Sequence, residues 1–308
     1  MKLALVGQLG AAERQAWMAA LQHALPEAQW VEAAPGAEVD VVLVANPPPG
    51  QLQGLKGLRL IQSLWAGVDR LLADATLPQG VPIARMVDPA MSAAMAETAL
   101  WAVLSLQRGF FDYARQQREA IWRVLPQRRA DEVRVTVLGL GEMGLTAARR
   151  MVAQGYRVQG WSARPRQEPG IDSVHGEEAL PALLSRSDVV VNLLPLTAAT
   201  RGLFDAQRLA LLPEGACVVN LARGGHVVEA DLLAALDGGR LRHAVLDVFQ
   251  AEPLPADSRF WSHPRVTLLP HAAALTDARS AAGIAAANVR AVMAGNPPAH
   301  RVEAERGY

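Results

Sequence analysis

The chain alternates short apolar bursts with segments whose apolar residues recur at helical spacing. Residues 3–6, 39–44 and 58–64 are apolar runs flanked by turn formers, the pattern of parallel strands buried on both faces. Asn46–Pro47–Pro48–Pro49–Gly50 can continue neither a strand nor a helix and predicts a loop. From Pro89 to Trp122 the pattern is helical, interrupted by the single glycine Gly109. The charged stretch 127–131 then leads into a strand over 133–138. Further strands are predicted over 157–161, 188–194, 216–221, 243–248 and 266–269, separated by segments of helix length. A last helix over 276–294 stops at Gly295, with Pro297 and Pro298 beyond it. Strands alternating with helices imply βαβ units and parallel sheets covered on both faces.

Composition narrows the classes. Hydrophobic residues are 51% and charged residues 19% of 308, which fits a folded chain of one or two domains. Thirty Lys+Arg balance thirty Asp+Glu, so no global field recruits nucleic acid or an anionic membrane. The basic run 123–134 reads as a solvated loop. No apolar run approaches the ~18 residues of a membrane span, and the start reads as a strand and turn rather than a secretory signal. Cys217, the one cysteine, sits in an apolar run and reads as a small buried hydrophobe in a reducing compartment. These features predict a cytoplasmic protein.

The predicted strand 133–138 runs directly into Gly139–Leu140–Gly141–Glu142–Met143–Gly144, and helical composition follows. That order of strand, glycines and helix makes the fingerprint specific for a dinucleotide. Gly139 permits the tight turn, Gly141 lets the backbone approach a pyrophosphate, and Gly144 allows close helix–strand packing. Amides at the helix N-terminus face the phosphate charge. The next strand ends in Trp161–Ser162–Ala163–Arg164–Pro165–Arg166, without the carboxylate that would accept from a ribose 2′-hydroxyl. Ser162 with Arg164 or Arg166 can instead bind a 2′-phosphate, so NADP(H) is favoured, with NAD(H) as the other cofactor the turn accepts.

Three polar residues follow later strands. Arg223 lies beside Gly224 and Gly225, Glu252 stands in a proline-stiffened loop, and His271 comes after Pro270. In parallel α/β sheets ligands bind beyond the carboxyl ends of strands, where these three can converge. Arginine offers a fork to a carboxylate. Histidine can protonate a ketone oxygen as hydride reaches the carbon, and a carboxylate on its other nitrogen fixes the tautomer. Of seven histidines, His226 and His263 are the next candidates and read as supporting or surface residues. No metal site is predicted.

The sequence resembles the D-isomer-specific 2-hydroxyacid dehydrogenases, and within them the glyoxylate/hydroxypyruvate reductase A group. The resemblance is carried by Leu64–Trp65–Ala66–Gly67–Val68–Asp69, the glycine turn, Asn192–Leu193–Leu194–Pro195–Leu196–Thr197 and Asn220–Leu221–Ala222–Arg223–Gly224. It continues through Leu246–Asp247–Val248–Phe249, Glu252–Pro253–Leu254–Pro255, His263–Pro264–Arg265–Val266–Thr267, Pro270–His271 and Arg306–Gly307–Tyr308. It implies that Arg223, Glu252 and His271 are catalytic and that amides around Ala66, Gly67 and Val68 bind the substrate carboxylate beside Trp65. It implies cofactor contacts from Glu142, Met143, Trp161, Leu194, Pro195, Leu221, Ala222, Asp247 near the nicotinamide, and Ala273.

The implied fold is α/β with two Rossmann-like doubly wound domains. A cofactor domain, 93–275, is inserted in a flavodoxin-like substrate-binding domain made of 1–92 and 276–308. A homodimer through a helix near 94–118 and the arm holding Trp122 is also implied. Two departures stand out: Trp65 where many relatives have a small residue, and Ala272–Ala273–Ala274 after His271. The expected activity is NADPH-dependent reduction of glyoxylate or hydroxypyruvate to the 2-hydroxy acid. A reductase of bulkier 2-oxo acids and a dinucleotide-sensing binding protein are the alternatives.

Overall fold

The computed structural model describes residues 1–303, so the Arg306–Gly307–Tyr308 motif lies outside the described residues. The chain divides into two compact units, Met1–Met91 with Thr276–Tyr308, and Ser92–Leu275.

The first unit holds five parallel strands, β1 (Lys2–Gly7), β2 (Gln29–Trp30), β3 (Val41–Ala45), β4 (Leu60–Ser63) and β5 (Ile83–Ala84), in the order β2-β1-β3-β4-β5. This is the flavodoxin-like order. Successive side chains of a strand point to opposite faces. Val41, Leu43 and Ala45 therefore join one core with Leu3 and Leu60, and Val42 and Val44 join another with Ala4 and Val6. The first core is closed by helices Ala11–Ala24 and Ala278–Met293. Ala281, Ala282, Ala285 and Ala286 let the second helix pack closely, and buried Asn288 donates from Nδ2 to Gln62 Oε1 at 2.8 Å.

The second unit holds seven parallel strands. They are β6 (Arg134–Leu138), β7 (Arg157–Ser162), β8 (Ile171–His175), β9 (Val189–Asn192), β10 (Ala216–Asn220), β11 (Leu241–Leu246) and β12 (Val266–Leu268), in the order β12-β11-β10-β9-β6-β7-β8. Counted from β6 the order is that of a Rossmann sheet with one added strand, and its switch point lies between β6 and β9. One core joins Val135, Val137 and Val191 to Ala96, Ala99 and Val103 of helix Pro89–Arg108 and to Ala147, Ala148 and Met151 of helix Glu142–Ala153. Leu138, Val190, Val218 and Leu246 face the other core.

Three expectations are corrected. The helical stretch 89–122 is two helices, Pro89–Arg108 and Phe110–Arg118, because Gly109 adopts φ +70° and ends the first; Trp122 lies beyond both. The edge strands β2, β5 and β8 were not predicted, being short or half-exposed and so lacking an apolar run. Helix Pro89–Arg108, with mean hydropathy 1.2, is long and apolar enough to cross a membrane by length and composition. Ala96, Ala99, Ala102 and Val103 nevertheless belong to the core.

His243 in β11 is buried, stacks on Phe111 at 4.8 Å and lies 2.9 Å from Thr267 Oγ1 through Nε2. Burial, with the charges of Arg242 and Arg115, pushes its imidazole down to about 4 from 6.5. The neutral ring's contribution to stability is present above the unfolded value and is lost as pH falls through 6.5 towards 4. Urea denaturation should therefore show stability dropping over that window by ~1.4 kcal/mol per unit of separation. His243→Gln should remove that component, and an unchanged pH profile in the variant would contradict the assignment.

Candidate active site

Each strand of the second unit that carries a predicted site residue delivers it at its carboxyl end. After β6 the chain turns at Gly139, φ +98°, where a Cβ would lie 2.8 Å from the Leu193 carbonyl oxygen. A Cβ on Gly144, in the first turn of helix Glu142–Ala153, would lie 1.7 Å from the Gly139 carbonyl oxygen. The fold itself therefore requires glycine at both positions. Gly141 differs: it has φ −74°, and a Cβ there would meet nothing within 4 Å. Its glycine keeps the turn open above amides that have no partner within the helix, which fits a dinucleotide pyrophosphate. Glu142 and Met143 open that helix.

At the end of β7, Trp161 is buried and its Nε1 donates to the Gly176 carbonyl at 2.8 Å. Ser162 Oγ donates to the Arg164 carbonyl at 2.6 Å, curling the segment that exposes Arg164 and Arg166. Beyond β9 and β10, two buried amides organise both loops. Asn192 donates to Asn220 Oδ1 at 3.0 Å, while its own Oδ1 accepts from the Leu194 amide at 3.2 Å. Asn220 Oδ1 also accepts from the Ala222 amide, and its Nδ2 donates to the Arg223 carbonyl at 2.9 Å. Leu194, Pro195, Leu221 and Ala222 are thereby held at one edge.

Arg223 is half-buried, with Nη1 donating to the Ala222 carbonyl at 2.7 Å. A Cβ on the next residue, Gly224, would lie 1.9 Å from the Phe249 carbonyl carbon, so the arginine loop presses on the loop that carries Glu252. Glu252 Oε1 accepts from the Phe249 amide at 3.0 Å, and Oε2 lies 2.8 Å from His271 Nδ1. The carboxylate is largely shielded while the His271 ring is about half open, at 20% and 49% exposure. Because Nδ1 is engaged, proton exchange falls to Nε2.

His271 has φ +54°, held by its amide donating to the Asp247 carbonyl at 2.8 Å. The buried Asp247 carboxylate accepts from the Ala272 and Ala273 amides at 2.7 and 3.1 Å. Burial pushes its pKa up against the pull of those amides. The Ala272–Ala273–Ala274 departure thus leaves main-chain contacts in use, with Ala273 also accepting from Thr98 Oγ1 at 2.7 Å.

In the first unit, the Trp65 amide donates to Ser63 Oγ at 3.0 Å, and its carbonyl accepts from Ser63 Oγ at 2.9 Å and from the Met86 amide at 3.1 Å. Its ring stands edge-on to Trp17 at 6.0 Å. Ala66 and Gly67 are half-buried, and buried Val68 precedes helix Asp69–Leu72.

Two secondary candidates are not surface residues. His226 is fully buried. His263 is shielded, with Nε2 3.2 Å from Asp237 Oδ1. Cys217 is buried, and burial pushes its thiol up, away from the reactive thiolate. Among the described residues no group of three His, Cys, Asp or Glu is placed to hold a metal ion. Sequence reasoning missed the roles of Asn192 and Asn220, although a polar residue closing an apolar strand was a signal for both.

A doubly wound sheet with an open glycine turn and a carboxylate-bound histidine on one edge defines a dinucleotide-binding α/β protein equipped for proton transfer. The NAD-binding domain of the D-isomer specific 2-hydroxyacid dehydrogenases matches residues 100–273, and the chain belongs to that family. It is 41% identical over 299 residues to glyoxylate/hydroxypyruvate reductase A of Serratia proteamaculans, covering 95% of this chain and 96% of that one. A D-isomer specific 2-hydroxyacid dehydrogenase of Xanthobacter autotrophicus, solved with NADPH and MES, superposes with TM-score 0.94 at 42% identity over 99% of both chains. An NADPH-dependent glyoxylate/hydroxypyruvate reductase of Sinorhizobium meliloti, solved with NADP and sulfate, gives 0.93 at 34% identity over 100% of this chain and 99% of that one.

The glycines separate folding from binding. Gly141→Ala should keep the melting temperature of the wild type and lose dinucleotide affinity, measured by NADPH fluorescence titration. Gly144→Ala should cost about 1–3 kcal/mol of stability through overpacking. Equal behaviour of the two variants would refute the distinction.

Proposed function

We propose that this protein is an NADPH-preferring reductase of small 2-oxo acids, glyoxylate and hydroxypyruvate among them. The observation that carries the proposal is the 2.8 Å Glu252–His271 pair on the same sheet edge as the glycine turn and Arg223. A dinucleotide held on the turn Gly139–Gly144 would supply hydride for the ketone carbon. His271 Nε2 gives the proton to the ketone oxygen, and Glu252 holds Nδ1 so that Nε2 remains the reacting nitrogen. Arg223 grips the substrate carboxylate and polarises the ketone. On the first unit, the amides around Ala66, Gly67 and Val68, beside Trp65, are assigned to substrate binding.

The cofactor preference rests on Ser162, Arg164 and Arg166 at the end of β7, where a carboxylate would repel a 2′-phosphate. The relatives solved with NADPH and NADP support it. Residues 93–275 are assigned as the cofactor domain; 1–92 and 276–308 are assigned as the substrate domain. A second reading is a reductase of a bulkier 2-oxo acid, with Trp65 shaping the pocket.

A homodimer is proposed through helix Phe110–Arg118 and its neighbours. Phe110, Ile121 and Val124 are exposed, and Trp122 is 99% exposed, a concentration of apolar surface that marks an interaction face. The cytoplasm is the proposed compartment, on the balanced charge and the single buried thiol.

A panel of 2-oxo acids assayed with NADPH and NADH tests the activity. Glyoxylate and hydroxypyruvate should be turned over with higher kcat/KM for NADPH, and His271→Ala should lose ~10²–10⁴ in rate. Near-full turnover by that variant sinks the role of His271, and equal or better use of NADH sinks the cofactor preference. Turnover below ~0.1 s⁻¹ on every acid favours a dinucleotide-sensing protein. In sedimentation the protein should run as two chains, and a monomer would exclude the proposed dimer.

A further inference from the structure

His226 has no part in the chemistry assigned above, yet it occupies a constrained place. It is fully buried in the turn Gly224–His226, directly after Arg223. Its Nδ1 lies 3.1 Å from the Arg223 carbonyl oxygen, and its Nε2 lies 3.3 Å from the Pro195 carbonyl oxygen. Those carbonyls belong to the loops that follow β10 and β9. The main chain of His226 is held too, its carbonyl accepting from the Phe204 amide at 2.8 Å. A buried imidazole is costly unless its nitrogens are bonded, and an apolar side chain of similar size would fill the space without joining the loops.

The Arg223 carbonyl also accepts from Asn220 Nδ2 at 2.9 Å and from the His226 amide at 3.3 Å. Its peptide is therefore gripped by one side chain from the strand below and by one from the turn ahead. The neighbouring loops approach closely: a Cβ on Gly225 would lie 2.9 Å from Leu196 Cδ2.

We infer that His226 is a positioning residue: its imidazole, set between the carbonyls of Arg223 and Pro195, fixes Arg223 relative to the loop on the dinucleotide side. This rests on the reading of Arg223 as the carboxylate ligand. A neutral imidazole carries one N–H, so the ring donates to one of the two carbonyls and packs against the other. Donation from Nδ1 places Arg223 and so governs the KM of the 2-oxo acid, whereas donation from Nε2 places Pro195 and so governs dinucleotide affinity.

Amide side chains identify the donor, since the asparagine nitrogen takes the place of Nδ1 and the glutamine nitrogen takes that of Nε2. His226→Ala should lower kcat/KM for the 2-oxo acid by about 10²-fold, the scale of an ångström's misplacement. One amide variant alone should recover: His226→Asn restores the 2-oxo-acid KM where Nδ1 is the donor, and His226→Gln restores NADPH affinity, read by fluorescence, where Nε2 is. All variants are checked for folding by circular dichroism; if His226→Ala does not fold, the two amide variants decide. Wild-type kinetics in all three would overturn the inference. So would Asn and Gln variants that are folded yet alike in both readouts, since that pattern means space-filling alone. Absence of wild-type turnover would defeat the reductase reading first, and this inference with it.

Discussion

The buried amide pair Asn192–Asn220 joins the ends of two neighbouring strands, and much of the site hangs from it. Strand ends are where ladder bonding stops and backbone groups need other partners. Here one asparagine oxygen takes the Leu194 amide and the other takes the Ala222 amide. The Asn220 nitrogen takes the Arg223 carbonyl. A single bond between two side chains thus shapes two loops, one assigned to the dinucleotide and one carrying the arginine. With partners on both amides, the burial of so much polarity at the sheet edge is offset. Asp247 does the same for the last strand, where its carboxylate catches the two amides after His271.

This arrangement explains how a mobile chemistry is served by a stiff frame. His271 lies on a backbone of positive φ, which is uncommon for a residue with a Cβ. Its amide and the two that follow are all bound to Asp247, so the strain is held by three bonds. The ring is left half open towards solvent, where a substrate must reach it. Glu252 is anchored at one oxygen by the Phe249 amide before it meets the imidazole. Each group assigned to the chemistry is therefore held by a partner assigned only to position it.

Much of this is legible in the sequence. The long apolar strands declare themselves because both faces are buried, and the glycine turn declares itself because the strand and helix around it do. β8 does not: Ile171–His175 is an edge strand buried mainly at Ile171, so it lacks the apolar run that marks its neighbours. The break at Gly109 is hidden because both flanks have helical composition, and only the positive φ reveals it. Residue types single out Arg223, Glu252 and His271 as candidates, but the 2.8 Å approach of two residues nineteen positions apart is a product of the fold. His226 reads as a supporting or surface residue, and packing of that turn against its neighbours takes it inside.

The two units also differ in how their chains are arranged in time. The seven-stranded unit is one continuous stretch, 92–275, and a ribosome releases all of it before the chain's last helix appears. The five-stranded unit must wait. Its Gln62 is bonded to Asn288, 226 positions later, and alanines 281–286 close a core begun at Leu3. During synthesis, then, its first sheet stands with one face only partly covered, by helix Ala11–Ala24, while a neighbour downstream can already be complete. A nascent chain of this protein is an order-of-assembly problem in which the beginning is finished last.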